Sequence, residues 1–167
     1  MASTYTPLGV EKMATGENAG TWGTKTNTNL ELIEQISGGY KVQTLNTAGA
    51  GANTTTLSKS DGATGATVAT RVIIMGAVSP EAITGNKILT MPVLTENFYL
   101  IKNSTSGAYT VQLKAATGSG ATVTWGTTDK DWKLIYFDGV ATNTGVYDLG
   151  LTTAANTQTL TNKTLTS

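Results

Sequence analysis

The sequence of 167 residues predicts an all-β protein: an antiparallel β-sandwich or jelly-roll-like domain, preceded by one short helix and followed by an extended tail. Threonine, which suits pleated strands, occurs 34 times. The 19 glycines and the many asparagines suit tight connections between strands. Short apolar or alternating runs recur at intervals of roughly 8–15 residues, which is typical of a sandwich or a barrel. No strand–helix–strand spacing indicates a parallel sheet.

Eight segments in the middle of the chain are predicted to be strands. Arg71–Met75 is a continuous apolar run that indicates a buried strand, and Lys87–Met91 stops at Pro92. Two further runs flank Ser104–Gly107, which predicts a β-hairpin. The predicted strands are Tyr40–Asn46, Arg71–Met75, Lys87–Met91, Asn97–Asn103, Ala108–Lys114, Ala121–Trp125, Trp132–Phe137 and Gly145–Leu149, with Asp138-Gly139 as a turn between the last two.

The one helix is predicted to begin at Thr28, behind a Gly- and Thr-rich run that has Trp22 at its centre. Thr28 and Glu31 have the spacing of a capping box, in which each side chain bonds the backbone N–H of the other residue. Gly38-Gly39 supplies the left-handed stop that is common at helix C-termini.

The apolar side of this helix needs a partner, because a helix shorter than ~12 residues is marginal alone in water. Leu30, Ile33 and Ile36 share that side, so it must pack on its own β domain, on a neighbouring copy or on another protein. Trp22 lies in a run that cannot build a core and needs a pocket elsewhere. We interpret this segment as a docking element; the alternative is a plain helix folded back on its own core. The candidate docking residues are Trp22, Thr28, Leu30, Glu31 and Ile33.

The chain therefore divides into three parts. Residues 1–38 form the N-terminal anchoring segment with its short helix, and residues 39–150 form the β domain. Residues 151–167 are polar, with Leu151, Leu160 and Leu165 as their sizeable apolar side chains, which are too few for a separate core. We expect this last segment to be extended and packed between chains.

Composition argues against several classes of function. The formal net charge is +0, charged residues make up 13% of the chain, and no long basic run is available to phosphates, so nucleic-acid binding is not expected. Cysteine and histidine are absent, which removes thiolate metal sites and the commonest acid–base side chain. No apolar stretch approaches the roughly 20 residues of a membrane span, and the N-terminus lacks the apolar centre of a signal peptide. We expect a non-enzymatic chain without cofactor or metal.

Two other site hypotheses rest on single motifs. Asp129 and Asp131 lie two residues apart and could share a face, as paired catalytic carboxylates or calcium ligands do. The flanking threonines and the following Trp132 favour a turn that leads into a strand. Aromatic rings could also stack on a sugar, although each candidate lies in an apolar or alternating strand, where a core or intersubunit role is the default. These aromatic candidates are Trp125, Trp132, Tyr109 and Tyr136.

Four motifs, in this order, carry a resemblance that spans nearly the whole chain. They are Gly20–Gly23 with Thr26–Glu34, then Phe98–Thr105, then Lys133–Gly139, and finally Thr159–Ser167. Together they resemble virion structural proteins of tailed bacteriophages, in particular the N-terminal part of tail-fibre-like proteins of marine phages. The last motif is similar to the segment in which a phage fibre head continues into its shaft.

The resemblance implies a structural protein of the virion, assembled in the cytoplasm of the bacterial host. It implies that the N-terminal part attaches to the particle, that the chain forms a homotrimer, and that its partners are other virion proteins of the tail, neck or capsid. Two alternatives remain open: a capsid-decorating or head-fibre protein, and a module that binds a host surface glycan as receptor.

Overall fold

A computed structural model of the protein describes residues 2–45, 54–76 and 82–151. Within these ranges the fold is mainly β, as predicted, with one α-helix, α1 (Trp22–Gly38), and a short 3₁₀ helix (Thr67–Ala69). The strands are β1 (Thr4–Tyr5), β2 (Glu11–Lys12), β3 (Tyr40–Gln43), β4 (Thr54–Thr56), β5 (Val72–Met75), β6 (Lys87–Met91), β7 (Glu96–Asn103), β8 (Val111–Ala115), β9 (Val123–Trp125), β10 (Trp132–Asp138) and β11 (Val146–Asp148).

The described strands beyond the β1–β2 hairpin form a five-stranded sheet, in the order β11-β10-β7-β5-β3, and a four-stranded sheet, in the order β4-β6-β8-β9. From β3 to β8 the chain alternates between the two sheets, so that each strand lies beside the one two places earlier. In the five-stranded sheet Lys41 is the register partner of Ile73, which in turn is the partner of Ile101. The chain thus passes through three successive strand pairs, β3 and β4, β5 and β6, and β7 and β8, before β9, β10 and β11 extend the two sheets with antiparallel neighbours.

The expected antiparallel arrangement is therefore wrong for four strand pairs, β3–β5, β5–β7, β4–β6 and β6–β8, which are parallel. Parallel neighbours need a long crossover, and in α/β proteins a helix commonly supplies it. Here the crossover between two parallel strands is a strand of the other sheet. The absence of strand–helix–strand spacing was consequently no argument against parallel pairing.

The hairpin predicted around Ser104–Gly107 is also wrong. Its two arms became β7 and β8, which belong to different sheets and have different neighbours. By contrast, the turn at Asp138-Gly139 does join the antiparallel neighbours β10 and β11. The Asp138 carboxylate accepts hydrogen bonds from the backbone N–H groups of Val140, at 3.0 Å, and Gly145, at 2.8 Å. Both hydrogen bonds lower the pKa of the Asp138 carboxyl, and the bond from Val140 has the larger effect.

Side chains of both sheets meet in one buried cluster. Along β7 and β10 alternate residues point inward, and the rings of Tyr99 and Phe137 meet edge to face with centroids 5.6 Å apart. The Tyr99 hydroxyl donates to the carbonyl oxygen of Val68 at 2.8 Å. Burial raises the pKa of Tyr99 to about 12. The 3₁₀ helix is thereby tied to the core of the β domain.

The helix α1 begins at Trp22 and not at Thr28. The Thr28 hydroxyl donates to the carbonyl oxygen of Thr24 at 3.1 Å, inside the helix, so the predicted capping box with Glu31 is wrong. The start is set by a backbone turn at Asn18, whose carbonyl oxygen accepts from the N–H of Trp22 at 2.9 Å.

The helix ends where predicted but by a different geometry. Gly39 has extended backbone, with φ −64° and ψ 152°, so the left-handed stop is wrong. A Cβ on Gly39 would lie 2.4 Å from the carbonyl oxygen of Gln35, which explains the glycine by close backbone approach. In the described part of the chain, no helix is long and apolar enough to cross a membrane.

Candidate docking surface

The N-terminal hairpin holds the first half of α1 through polar contacts. The side-chain amide of Asn29 pairs with the backbone of Glu11: its Oδ1 accepts from the N–H at 3.0 Å, and its Nδ2 donates to the carbonyl oxygen at 2.9 Å. The Lys25 ammonium lies 3.0 Å from the Glu11 carboxylate, whose side chain is only 3% exposed. The hydrogen bond from Lys25 lowers the pKa of Glu11, although burial acts in the opposite direction. One side of the helix is therefore fixed by matched polar groups.

The side chain of Gln35 attaches the second half of α1 to the β domain. The Nε2 of Gln35 donates to the carbonyl oxygens of Ala66, at 3.2 Å, and Ala69, at 2.9 Å. Its Oε1 accepts from the N–H of Gly65 at 2.9 Å. The buried side chain on the same side of α1 is Leu32, with 0% exposure.

Next to these contacts, α1 carries large apolar side chains that are exposed. Trp22 is 66% exposed, Leu30 59% and Ile33 51%. At about 100° per residue these three side chains lie within an arc of roughly 80°. They form one surface, which we call the helix stripe. The helix is folded back on its own chain through Leu32 and Gln35, whereas Leu30 and Ile33, which were predicted to form its packed side, stay exposed.

The two polar residues of the predicted docking set have other positions. Thr28 is half-buried and bonded within the helix. Glu31 is exposed and lines a small notch together with Glu34 at the C-terminal half of α1. The structure thus brings Trp22, Leu30 and Ile33 together, places Glu31 outside this stripe, and gives Thr28 an internal bond.

A shallow groove of about 340 Å³ lies between the N-terminal segment and the β domain. It is bordered by a turn at Leu94, which has a positive φ of 65° and is 47% exposed. The lining residues are Thr6, Pro7, Leu8, Val10, Ile36, Leu94 and Glu96.

A second open apolar surface lies on the side of the five-stranded sheet that faces away from the core. Because alternate residues of a strand point to opposite faces, the strand registers assign these outward side chains. Leu134 lies opposite Leu100, and Tyr136 lies opposite both Phe98 and Tyr147. We call this surface the outer sheet face; its residues, all partly or fully exposed, are Tyr40, Val42, Val72, Ile74, Phe98, Leu100, Lys102, Trp132, Leu134, Tyr136 and Tyr147.

Sequence reasoning missed the outer sheet face, although a signal was present. In Phe98–Ile101 and Leu134–Phe137 apolar residues occupy consecutive positions, so both faces of the strand are apolar. Consecutive apolar residues are typical of strands that are covered on both sides. The core covers only one face of these two strands, and the apolar residues on their other face stay partly or fully exposed.

The residues considered as catalytic carboxylates, calcium ligands or sugar-binding aromatics have the following positions. Asp129 accepts from the backbone N–H of Asp131 at 3.3 Å and lies 3.1 Å from the Lys133 ammonium. Trp125 is 0% exposed, and its indole N–H donates to the carbonyl oxygen of Asp131 at 3.1 Å, so its ring is not open to a sugar. Trp132 and Tyr136 are on the outer sheet face, and Tyr109 is 38% exposed. Among the described residues, no group of three or more Asp and Glu side chains could hold a metal ion.

Comparisons with known proteins add no neighbour: no protein-family model, curated protein or solved structure matches this chain.

Proposed function

We propose that this chain is a structural component of a bacteriophage virion, namely the particle-attaching N-terminal part of a tail fibre. In this proposal residues 1–38 attach to another virion protein, residues 39–150 form a sandwich-like β domain, and residues 151–167 lead toward a shaft. Residues 152–167 lie outside the described residues, so the proposal for them rests on the resemblance of their sequence.

The observation that supports attachment most directly is the helix stripe. Three large apolar side chains stay open on a helix that Leu32, Asn29 and Gln35 already attach to the rest of the chain. Aromatic side chains buried at the centre of an interface commonly contribute most of its binding energy. We therefore assign Trp22 as the anchor of the attachment.

The glycines around Trp22 favour close approach by a partner. A Cβ on Gly16, Gly20 or Gly23 would have no atom within 4 Å, so this side of the backbone is open. Another protein can contact the main chain here without meeting a side chain. The partner surface is expected to offer an apolar pocket for the indole ring and polar groups for the backbone.

The proposed mechanism is assembly and not catalysis. Burying the helix stripe on a partner stabilises the attached form by mass action, since only the folded chain presents the three side chains together. A homotrimer would present three such stripes to the particle. The proposal places the protein in the virion after assembly in the host cytoplasm.

Trp22→Ala tests this proposal. The variant is expected to lose incorporation into phage particles, because truncation of a buried interface aromatic commonly costs ~2–4 kcal/mol of binding. Its thermal melting in purified form should stay unchanged, since Trp22 is 66% exposed. Val140→Ala is the matched control, because Val140 is also exposed, at 52%, but lies far along the chain from α1. Normal incorporation of Trp22→Ala would refute the assignment.

A further inference from the structure

We propose that the outer sheet face is the surface through which copies of this chain bind one another. This inference deepens the proposed function by naming the self-association surface. It rests on that function only for the expectation that the chain is an oligomer. The occupant of the face is a second copy of the same β domain.

The size of the face is the first argument. Five strands spaced ~4.8 Å apart, with same-face neighbours ~6.7 Å apart along each strand, give an apolar surface of roughly 300–400 Å². A patch of this size is comparable to the largest apolar patch of a typical monomer, which is often a functional surface. A stable interface between two proteins buries ~800 Å² on each side, of which the centre is apolar and the rim polar. The face is large enough to supply such a centre.

The composition of the face is the second argument. Its aromatic residues, Tyr40, Phe98, Trp132, Tyr136 and Tyr147, belong to the types that are enriched where proteins meet. The surrounding outward side chains are mostly aliphatic. Such a face matches another apolar face better than a charged partner.

Positive and negative side chains both lie at the rim of the outer sheet face. At one end of β7 the Lys102 ammonium lies 5.7 Å from the centroid of Trp132. At the other end Glu96 is the register partner of Asp138, with both carboxylates on the outward side, and Arg71 lies over the ring of Phe98, 3.8 Å from its centroid. The rim therefore carries two cations and two anions, so its charges balance. Two copies can therefore meet without the like-charge repulsion that a face of one sign would produce.

The oligomeric state of the purified full chain tests the proposal. Light scattering of the wild type is expected to show an oligomer at micromolar concentration. Leu134→Lys places a charge at the centre of the face, opposite Leu100, and should raise the dissociation constant at least about 30-fold. Thr124→Lys, exposed on the outward side of β9 in the four-stranded sheet, is the control and should leave the oligomer intact. Circular dichroism establishes that each variant is folded.

Cross-linking gives a second readout that does not depend on a disruptive charge. The chain contains no cysteine, so a single introduced cysteine reacts alone. Leu134→Cys should give cross-linked chains with a short bismaleimide, and Thr124→Cys should not. A wild type that is a monomer would overturn the proposal, as would an oligomer that survives in Leu134→Lys without cross-links from Leu134→Cys. Loss of particle incorporation in Trp22→Ala bears on attachment alone and should leave the purified oligomer unchanged.

Discussion

Replacing Leu32 by alanine is expected to loosen α1 from the rest of the protein, whereas the same replacement of Ile33 is not. The two residues are neighbours in sequence, but Leu32 is 0% exposed and Ile33 is 51% exposed. They therefore test the two sides of the helix separately. The comparison is matched, because each variant removes an aliphatic side chain of similar volume from consecutive positions of the same helix.

The magnitude follows from burial. Truncating a buried leucine costs about 2–5 kcal/mol, and the lower half of this range applies where the surroundings can close in on the cavity. The contacts of Asn29 and Gln35 remain in the variant, and the site lies near the surface. With ~2–3 kcal/mol lost and ~1.4 kcal/mol per factor of ten, the opening equilibrium of α1 should rise roughly 30–150-fold. For Ile33→Ala, a change within ~0.5 kcal/mol is expected, as is usual at exposed positions.

Native-state amide hydrogen exchange measures this equilibrium for each element. Protection of the α1 amides should fall in Leu32→Ala, while the amides of β7 and β10 serve as an internal reference. Equal loss of protection in Ile33→Ala would refute the assignment of the two faces. Unchanged α1 protection in Leu32→Ala would show that the helix is not held by this side chain.

Three further predictions concern stability. Tyr99→Phe should lower the free energy of unfolding by ~1–3 kcal/mol in a denaturant titration, because it leaves a buried carbonyl oxygen without its donor. Gly9→Ala should release the N-terminal hairpin, seen as limited proteolysis near residue 9, since Gly9 has φ +89° and its Cβ would lie 2.0 Å from the carbonyl oxygen of Ser60. The pKa of Glu11 in the folded protein lies below its usual value of 4.5, so the ionised carboxylate stabilises the fold above pH 4.5, and this stabilisation should be lost as the pH falls below that value. Hydrogen exchange of the α1 amides, measured as the pH is lowered through 4.5, should show the loss in the wild type and not in Lys25→Met.

Strand positions could be predicted from the sequence more fully than strand partners. Lys87–Met91 and Trp132–Asp138 form close to the predicted positions, because apolar alternation and turn residues are local signals. Pairing depends on which sheet each strand joins, and a connection such as Ser104–Gly107 looks the same whether it turns back or crosses over. The short strands β1, β2 and β4 have little apolar pattern and were not predicted.

The helix, too, could be predicted from the sequence only in part. Its C-terminal end and its exposed apolar residues follow from Gly39 and from the spacing of Leu30 and Ile33. Its start does not, because the run from Trp22 to Asn27 has few strong helix formers. Packing of polar side chains such as Asn29 stabilises this part of the helix, and such tertiary contacts leave no periodic apolar signal in the sequence.

The most direct test of the proposed attachment is a reconstruction of the phage particle by electron cryomicroscopy in which this chain is located. We expect the chain on the particle with Trp22, Leu30 and Ile33 buried against another virion protein, and with the outer sheet face buried between copies. A particle without this chain, or one in which the helix stripe faces solvent, would contradict the account.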